Sequence, residues 1–148
     1  MEVGYTSCSS KDVPWQYFES VKNLAAWCDA LIVVIPAPPE THHLIHREVL
    51  EALGPKGFLV NIARGALVDT EALIEALRDK TIAGAALDVF EPHVEERLLK
   101  LQNVVLAPHI GSATVETRDA MAELVMENIR LALNGQPLAT PIPGTRKD

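Results

Sequence analysis

The feature that most constrains this chain is the repeated alternation of short apolar runs with amphipathic stretches. The runs at residues 3–7, 30–35, 57–63, 83–90 and 103–107 are rich in Val, Ile, Leu and small residues. Such runs suit parallel strands that helices bury on both faces. Helical patterns fill most of the gaps. One covers residues 46–53 and stops at Gly54-Pro55; a second covers 69–78, opens on the N-cap candidate Asp69 and carries Leu73, Ile74 and Leu77 on one face. A long final helix over 115–134 has a stripe of Met121, Leu124, Val125, Ile129 and Leu133, with Gly135 as its C′ residue. Pro137, Pro141 and Pro143 then mark an irregular tail. The pattern predicts an α/β fold, a parallel sheet with flanking helices.

Composition narrows the function classes. With 48% hydrophobic residues, the 148-residue chain has material for a core. A net charge of −7 and no clustered Lys or Arg argue against nucleic acid as a partner. The apolar run at 30–35 is too short to cross a bilayer, and Met1-Glu2-Val3-Gly4 lacks a signal peptide's layout, so no membrane partner and a cytoplasmic location are expected. Cys8 and Cys28 have no metal-like spacing and are expected as free thiols. His42, His43 and His46 have no Cys or carboxylate set beside them in the sequence; a solvated helix approach is expected there, and no metal.

Ligands of an open α/β sheet bind at the carboxyl ends of its strands. Asn61-Ile62-Ala63-Arg64-Gly65 closes one strand, Leu87-Asp88-Val89-Phe90-Glu91 the next, and Pro108-His109-Ile110-Gly111-Ser112 the last. Arg64 is thereby placed either for a surface ion pair or for gripping a carboxylate with two parallel hydrogen bonds. The three stretches, in this order, resemble the D-2-hydroxyacid dehydrogenases, and within them the glyoxylate/hydroxypyruvate and hydroxyphenylpyruvate reductases. The resemblance runs from Gly4-Tyr5-Thr6-Ser7 to Pro137-Leu138. It implies a Rossmann-like nucleotide-binding domain over residues 1–136, including the returning final helix, with 137–148 as the tail. It implies that Arg64 binds the carboxylate of a small 2-keto acid and that His109 protonates the keto oxygen as hydride reaches the adjacent carbon. It also implies cofactor contacts at Pro36, Ile62, Asp88, His109 and Gly111, and a family habit of dimerising through this domain, here as a homodimer or with a complete relative. Ser7-Cys8-Ser9 stands where NADP-using members read Ser-Arg-Ser; with Lys11 nearby and no acidic residue at this strand end before Asp12, NADP is favoured over NAD.

Two departures from the family pattern matter. The family reads Asp-Val-Phe-Glu-x-Glu-Pro where this chain reads Asp88-Val89-Phe90-Glu91-Pro92-His93, so the Glu that pairs with the histidine has no direct counterpart. Glu91 is the nearby substitute, though two extended residues span roughly 7 Å, and His93 would disfavour the proton that His109 needs. The other departure is that no Gly-x-Gly-x-x-Gly precedes Val3. The first strand of the nucleotide fold lies in the middle of its sheet, so a sheet split in two, an incomplete fold, and weak or absent turnover by the chain alone are expected. Two functions stay open: a segment of a 2-keto acid reductase, and a non-catalytic interaction or dimerisation protein derived from one.

Overall fold

The computed structural model describes residues 1–91 and 94–142, so His93 and Pro143 lie outside the described residues. In chain order the elements are β1 (Gly4–Tyr5), β2 (Gln16–Tyr17), α1 (Val21–Trp27), β3 (Ala30–Val33), α2 (Arg47–Leu53), β4 (Phe58–Asn61), α3 (Thr70–Arg78), β5 (Gly84–Leu87), α4 (Glu95–Leu98), β6 (Val104–Leu106) and α5 (Val115–Leu133). Single 3-10 turns lie at Pro39–Thr41 and Gly65–Leu67. The expected strands all form, though shorter than their apolar runs. Sequence reading did not single out β2, α1 or α4. Ser20 caps α1 by accepting from the Asn23 amide, an N-cap signal the sequence does contain.

All strand pairs are parallel, in two sheets: β1-β2, and β3-β4-β5-β6. This is the division expected from the sequence. Among the described residues of the first unit, burial of the larger sheet is one-sided. Its register aligns Leu31, Leu59 and Ala85, and then Val33, Asn61 and Leu87, on the buried face. Val49 and Leu50 of α2, Leu73 and Leu77 of α3, Ile82 and Leu98 complete one apolar cluster with them. The opposite face leaves Ile32, Phe58 and Val105 exposed. The smaller sheet is tied in by aromatic packing: the Phe18 and Trp27 rings lie 5.2 Å apart. A Cβ on Gly4 would come within 2.8 Å of Phe18 and 2.9 Å of Trp27, so only glycine lets β1 approach them.

Two compact units are distinguished, Met1–Gly111 and the segment from Ser112 onward. In the second unit, Thr114 caps α5 and Gly135 follows it at φ 64, as a C′ glycine should. Residues 137–142 form no regular element, and Thr140 returns to Asn128 through paired hydrogen bonds. The apolar stripe of α5 does not form a core, for none of that helix's residues is buried. No helix among the described residues is long and apolar enough to cross a membrane.

The one-sided burial gives a direct test. Leu59→Ala, at a fully buried site in β4, is expected to cost about 2–5 kcal/mol. Ile32→Ala, at a site 56% exposed in β3, is expected to change stability by about 0.5 kcal/mol or less. Urea unfolding of the two variants checks both values; equal losses would mean that the second face is also buried.

Candidate functional site

Because the strands are parallel and in register, the polar residues that follow them come out at one edge. Arg64 follows β4, Asp88 follows β5 and His109 follows β6. The ladder continues past the strand ends: the Asp88 amide donates to the Asn61 carbonyl at 2.9 Å and the His109 amide to the Asp88 carbonyl at 3.1 Å. Sequence reasoning passed over Asn61 as a mere strand residue. It is buried, its Nδ2 donates to the Arg64 carbonyl at 2.9 Å, and its Oδ1 accepts from the Ala63 amide at 3.1 Å. Asn61 thus holds the turn that presents Arg64. An amide side chain on the core face of a strand, just before Arg-Gly, was the available signal.

Arg64 is exposed, with its guanidinium donating to the Ala63 carbonyl at 2.7 Å. Among the described residues it has no carboxylate partner, so the ion-pair alternative is not realised. It lines a cleft of about 700 Å³ together with Ile35, Pro36, Gly65, Phe90 and Glu91. Gly65 is required there. A Cβ at that position would fall within 2.5 Å of the Phe90 backbone and 2.8 Å of the Glu91 nitrogen.

Asp88 serves the backbone. Its Oδ1 accepts from the Ile110 amide at 2.8 Å and its Oδ2 from the Gly111 amide at 2.9 Å. These amides, Gly111's foremost, and the nearby His109 hold the Asp88 carboxyl below its ordinary range, against a smaller upward push from desolvation. The clamp secures His109, whose φ of 56 lies in the left-handed region. The His109 side chain is exposed and makes no hydrogen bond among the described residues. Ile62, an exposed apolar side chain, closes β4 at the same edge.

Glu91 does not turn to His109. Its Oε1 lies 3.2 Å from His43 Nε2, and Thr70 also hydrogen-bonds it. Partial burial pushes its pKa up, but the bonds from Thr70 and His43 and the charges of His43 and His42 outweigh this and leave it below the ordinary value. Folding brings to His43 a carboxylate from 48 residues farther along the chain, a partner that the local sequence around His42, His43 and His46 does not display. His46 instead occupies the N-cap position of α2. At the end of β1, Ser7 Oγ donates to the Ser9 carbonyl at 2.5 Å and Lys11 Nζ to Ser9 Oγ at 3.1 Å, gathering two hydroxyls and an ammonium beside the exposed, free Cys8.

The Asp88 clamp has a defined pH dependence. Its folded pKa is depressed, so its contribution is complete above the unfolded value of about 3.9 and is lost as pH falls through the lower folded value. Hydrogen exchange is expected to find the Ile110 and Gly111 amides protected from pH 7 down to about 4 and released in stronger acid. In Asp88→Asn, which can accept from only one of them through its single carbonyl oxygen, protection should fall at every pH; unchanged exchange would refute the clamp.

Residues 1–111 match the family model described as D-isomer specific 2-hydroxyacid dehydrogenase, NAD binding domain. The chain is 50% identical over 143 residues to the hydroxyphenylpyruvate reductase of Plectranthus scutellarioides, covering 95% of this chain and 46% of that protein. It is 49% identical over 140 residues to glyoxylate/hydroxypyruvate reductase A of Arabidopsis thaliana, covering 93% and 45%. Among solved structures, the NADPH-dependent glyoxylate/hydroxypyruvate reductase of Sinorhizobium meliloti, in complex with NADP and malonate, superposes with a TM-score of 0.92 at 40% identity, covering 99% of this chain and 48% of that one. The chain thus spans about half the length of the curated relatives it matches. Sequence, fold and the three strand-end stretches agree: the chain belongs to the D-isomer-specific 2-hydroxyacid dehydrogenase family, matching its nicotinamide-dinucleotide-binding domain.

Proposed function

We propose that the chain carries the substrate-activating residues of an oxidoreductase that reduces a 2-keto acid of the glyoxylate or hydroxypyruvate type to the D-2-hydroxyacid. One observation carries this reading: Arg64, without a carboxylate partner among the described residues, lines the cleft at the sheet edge it shares with His109. In it, Arg64 grips the substrate carboxylate and its charge draws electron density towards the neighbouring keto oxygen. His109, whose imidazole has no hydrogen-bond partner among the described residues, donates a proton to that oxygen as the carbonyl carbon is reduced. The nicotinamide supplies the hydride when bound. Pro36, Ile62 and Gly111 would line its ring, and Asp88 would fix the backbone there through its two amide contacts. Ser7, Cys8 and Ser9 would take the adenosine end, and Lys11 beside Ser9 supports NADP over NAD, because an ammonium can pair with the 2′-phosphate. Glu91 is left out of the acid–base pair, since His43 and Thr70 engage it. The relatives' names support the substrate class, and a cytoplasmic homodimer is the assembly we infer.

A second reading, a non-catalytic dimerisation protein, is favoured by the exposed apolar side chains Ile32, Phe58 and Val105 on one sheet face. A chimera separates the two. The 148 residues contain no Gly-x-Gly-x-x-Gly, so the chain alone is expected to show no turnover. Joined behind the amino-terminal half of the Plectranthus enzyme, it should oxidise NADPH in the presence of hydroxypyruvate. His109→Gln should then lower kcat by about 10²- to 10⁴-fold, while Arg64→Gln, which removes both the carboxylate grip and the polarising charge, should raise KM and lower kcat together. An inactive but folded chimera would favour the second reading, and activity indifferent to both substitutions would overturn the roles given to Arg64 and His109.

A further inference from the structure

The corner that captures Glu91 holds more than one hydrogen bond. One potential ligand atom each from His42, His43 and Glu91 lies within 4.8 Å of the other two. The His42 and His43 rings stack with centroids 3.8 Å apart and planes at 26°. Consecutive residues of an extended segment send their side chains to opposite sides. His43 departs from that rule because its φ is 52, in the left-handed region. The amide of His43 donates to the Ala66 carbonyl at 2.8 Å, and two residues on Ile45 forms a parallel bridge with Val68, so this unusual backbone is anchored on both sides. Glu91 is fixed as firmly. The glycine at 65 admits the Phe90–Glu91 backbone, and the buried Thr70 holds the carboxylate.

A His43–Glu91 ion pair accounts for two of these residues and leaves the stacked His42 unexplained. Two imidazoles and one carboxylate form a donor set suited to a divalent first-row cation of the zinc class, and three protein ligands leave a coordination position open. Zinc–ligand distances of about 2.0–2.2 Å require the three atoms to draw closer together. The exposed His42 side chain has room for that movement. The chain's net charge of −7 also favours a dication.

We propose that His42, His43 and Glu91 form a binding site for a divalent cation of the zinc class, at the corner where Glu91 borders the cleft that Arg64 lines. The site is independent of keto-acid reduction, so either proposal can fail without the other. The test is calorimetric titration of the metal-stripped 148-residue chain with zinc chloride, in a Cys8→Ser background that removes the exposed thiol as a competing ligand. One saturable site is expected. Affinity should fall by more than about 10-fold in His42→Ala, His43→Ala and Glu91→Gln, and stay unchanged in His46→Ala, which removes an imidazole outside the cluster. His42 is exposed, so its variant tests the site even if the other two fold poorly. Absence of saturable binding, or full affinity in His42→Ala, would overturn the proposal.

Discussion

The parallel ladder through β4, β5 and β6 is the constraint on which the rest of the site depends. It fixes the register of three strands, and through the Asp88 amide on the Asn61 carbonyl and the His109 amide on the Asp88 carbonyl it reaches into the loops beyond them. A backbone hydrogen bond adds only about 0.5–1.5 kcal/mol net. Its value here is positional, because each link sets where the next strand-end residue emerges. Leu59, Leu87 and their neighbours supply the burial that keeps the ladder rigid, and Asn61 converts the end of that rigid segment into a turn that presents Arg64. The chemistry-bearing side chains stand exposed while their backbones are held by buried or clamped partners. That arrangement preserves position without sacrificing access.

The two carboxylates near this edge have opposite assignments, set by what surrounds each. Asp88 spends both oxygens on amides of the loop that carries His109. Glu91 is drawn into the His43–Thr70 corner. Neither oxygen pair is engaged with the His109 ring among the described residues, so in the proposed reaction nothing described here orients that imidazole or stabilises its charged form by direct hydrogen bonding.

Much of this was legible in the sequence. The apolar runs marked β1 and β3 to β6, and the punctuation at Asp69, Gly54 and Gly135 marked helix ends correctly, because strand burial and capping are encoded locally. The split of the sheet was also readable, from the Gly-rich stretch that does not occur. What escaped was non-local. The two-residue β2 has no periodicity to detect. The partner of His43 lies 48 residues away, reached only because Gly65 allows two backbones to close on each other. Asn61 reads as a strand residue until the turn it bonds is seen. The stripe on α5 shows the converse limit: amphipathic spacing identified a helix, while burial depends on what packs against it.

The division into two sheets changes what holds the first twenty residues in place. Strands β1 and β2 pair over two residues each and share no ladder with β3. A two-stranded sheet of that length is marginal in water. Its attachment to the rest of the unit must come from side chains, and the aromatic set is suited to that: Tyr5 lies 5.5 Å from Tyr17, and Phe18 and Trp27 bracket Gly4. Trp27 ends α1, which packs against α2 and so reaches the main core through Leu24 and Ala25. The Ser7–Lys11 turn, which is the proposed adenosine end, therefore hangs from the main sheet by packing alone, whereas Arg64 and His109 are joined to it by hydrogen-bonded backbone. Because packing contacts are individually weak and the ladder is continuous, the edge that carries Arg64 and His109 is the more firmly anchored of the two.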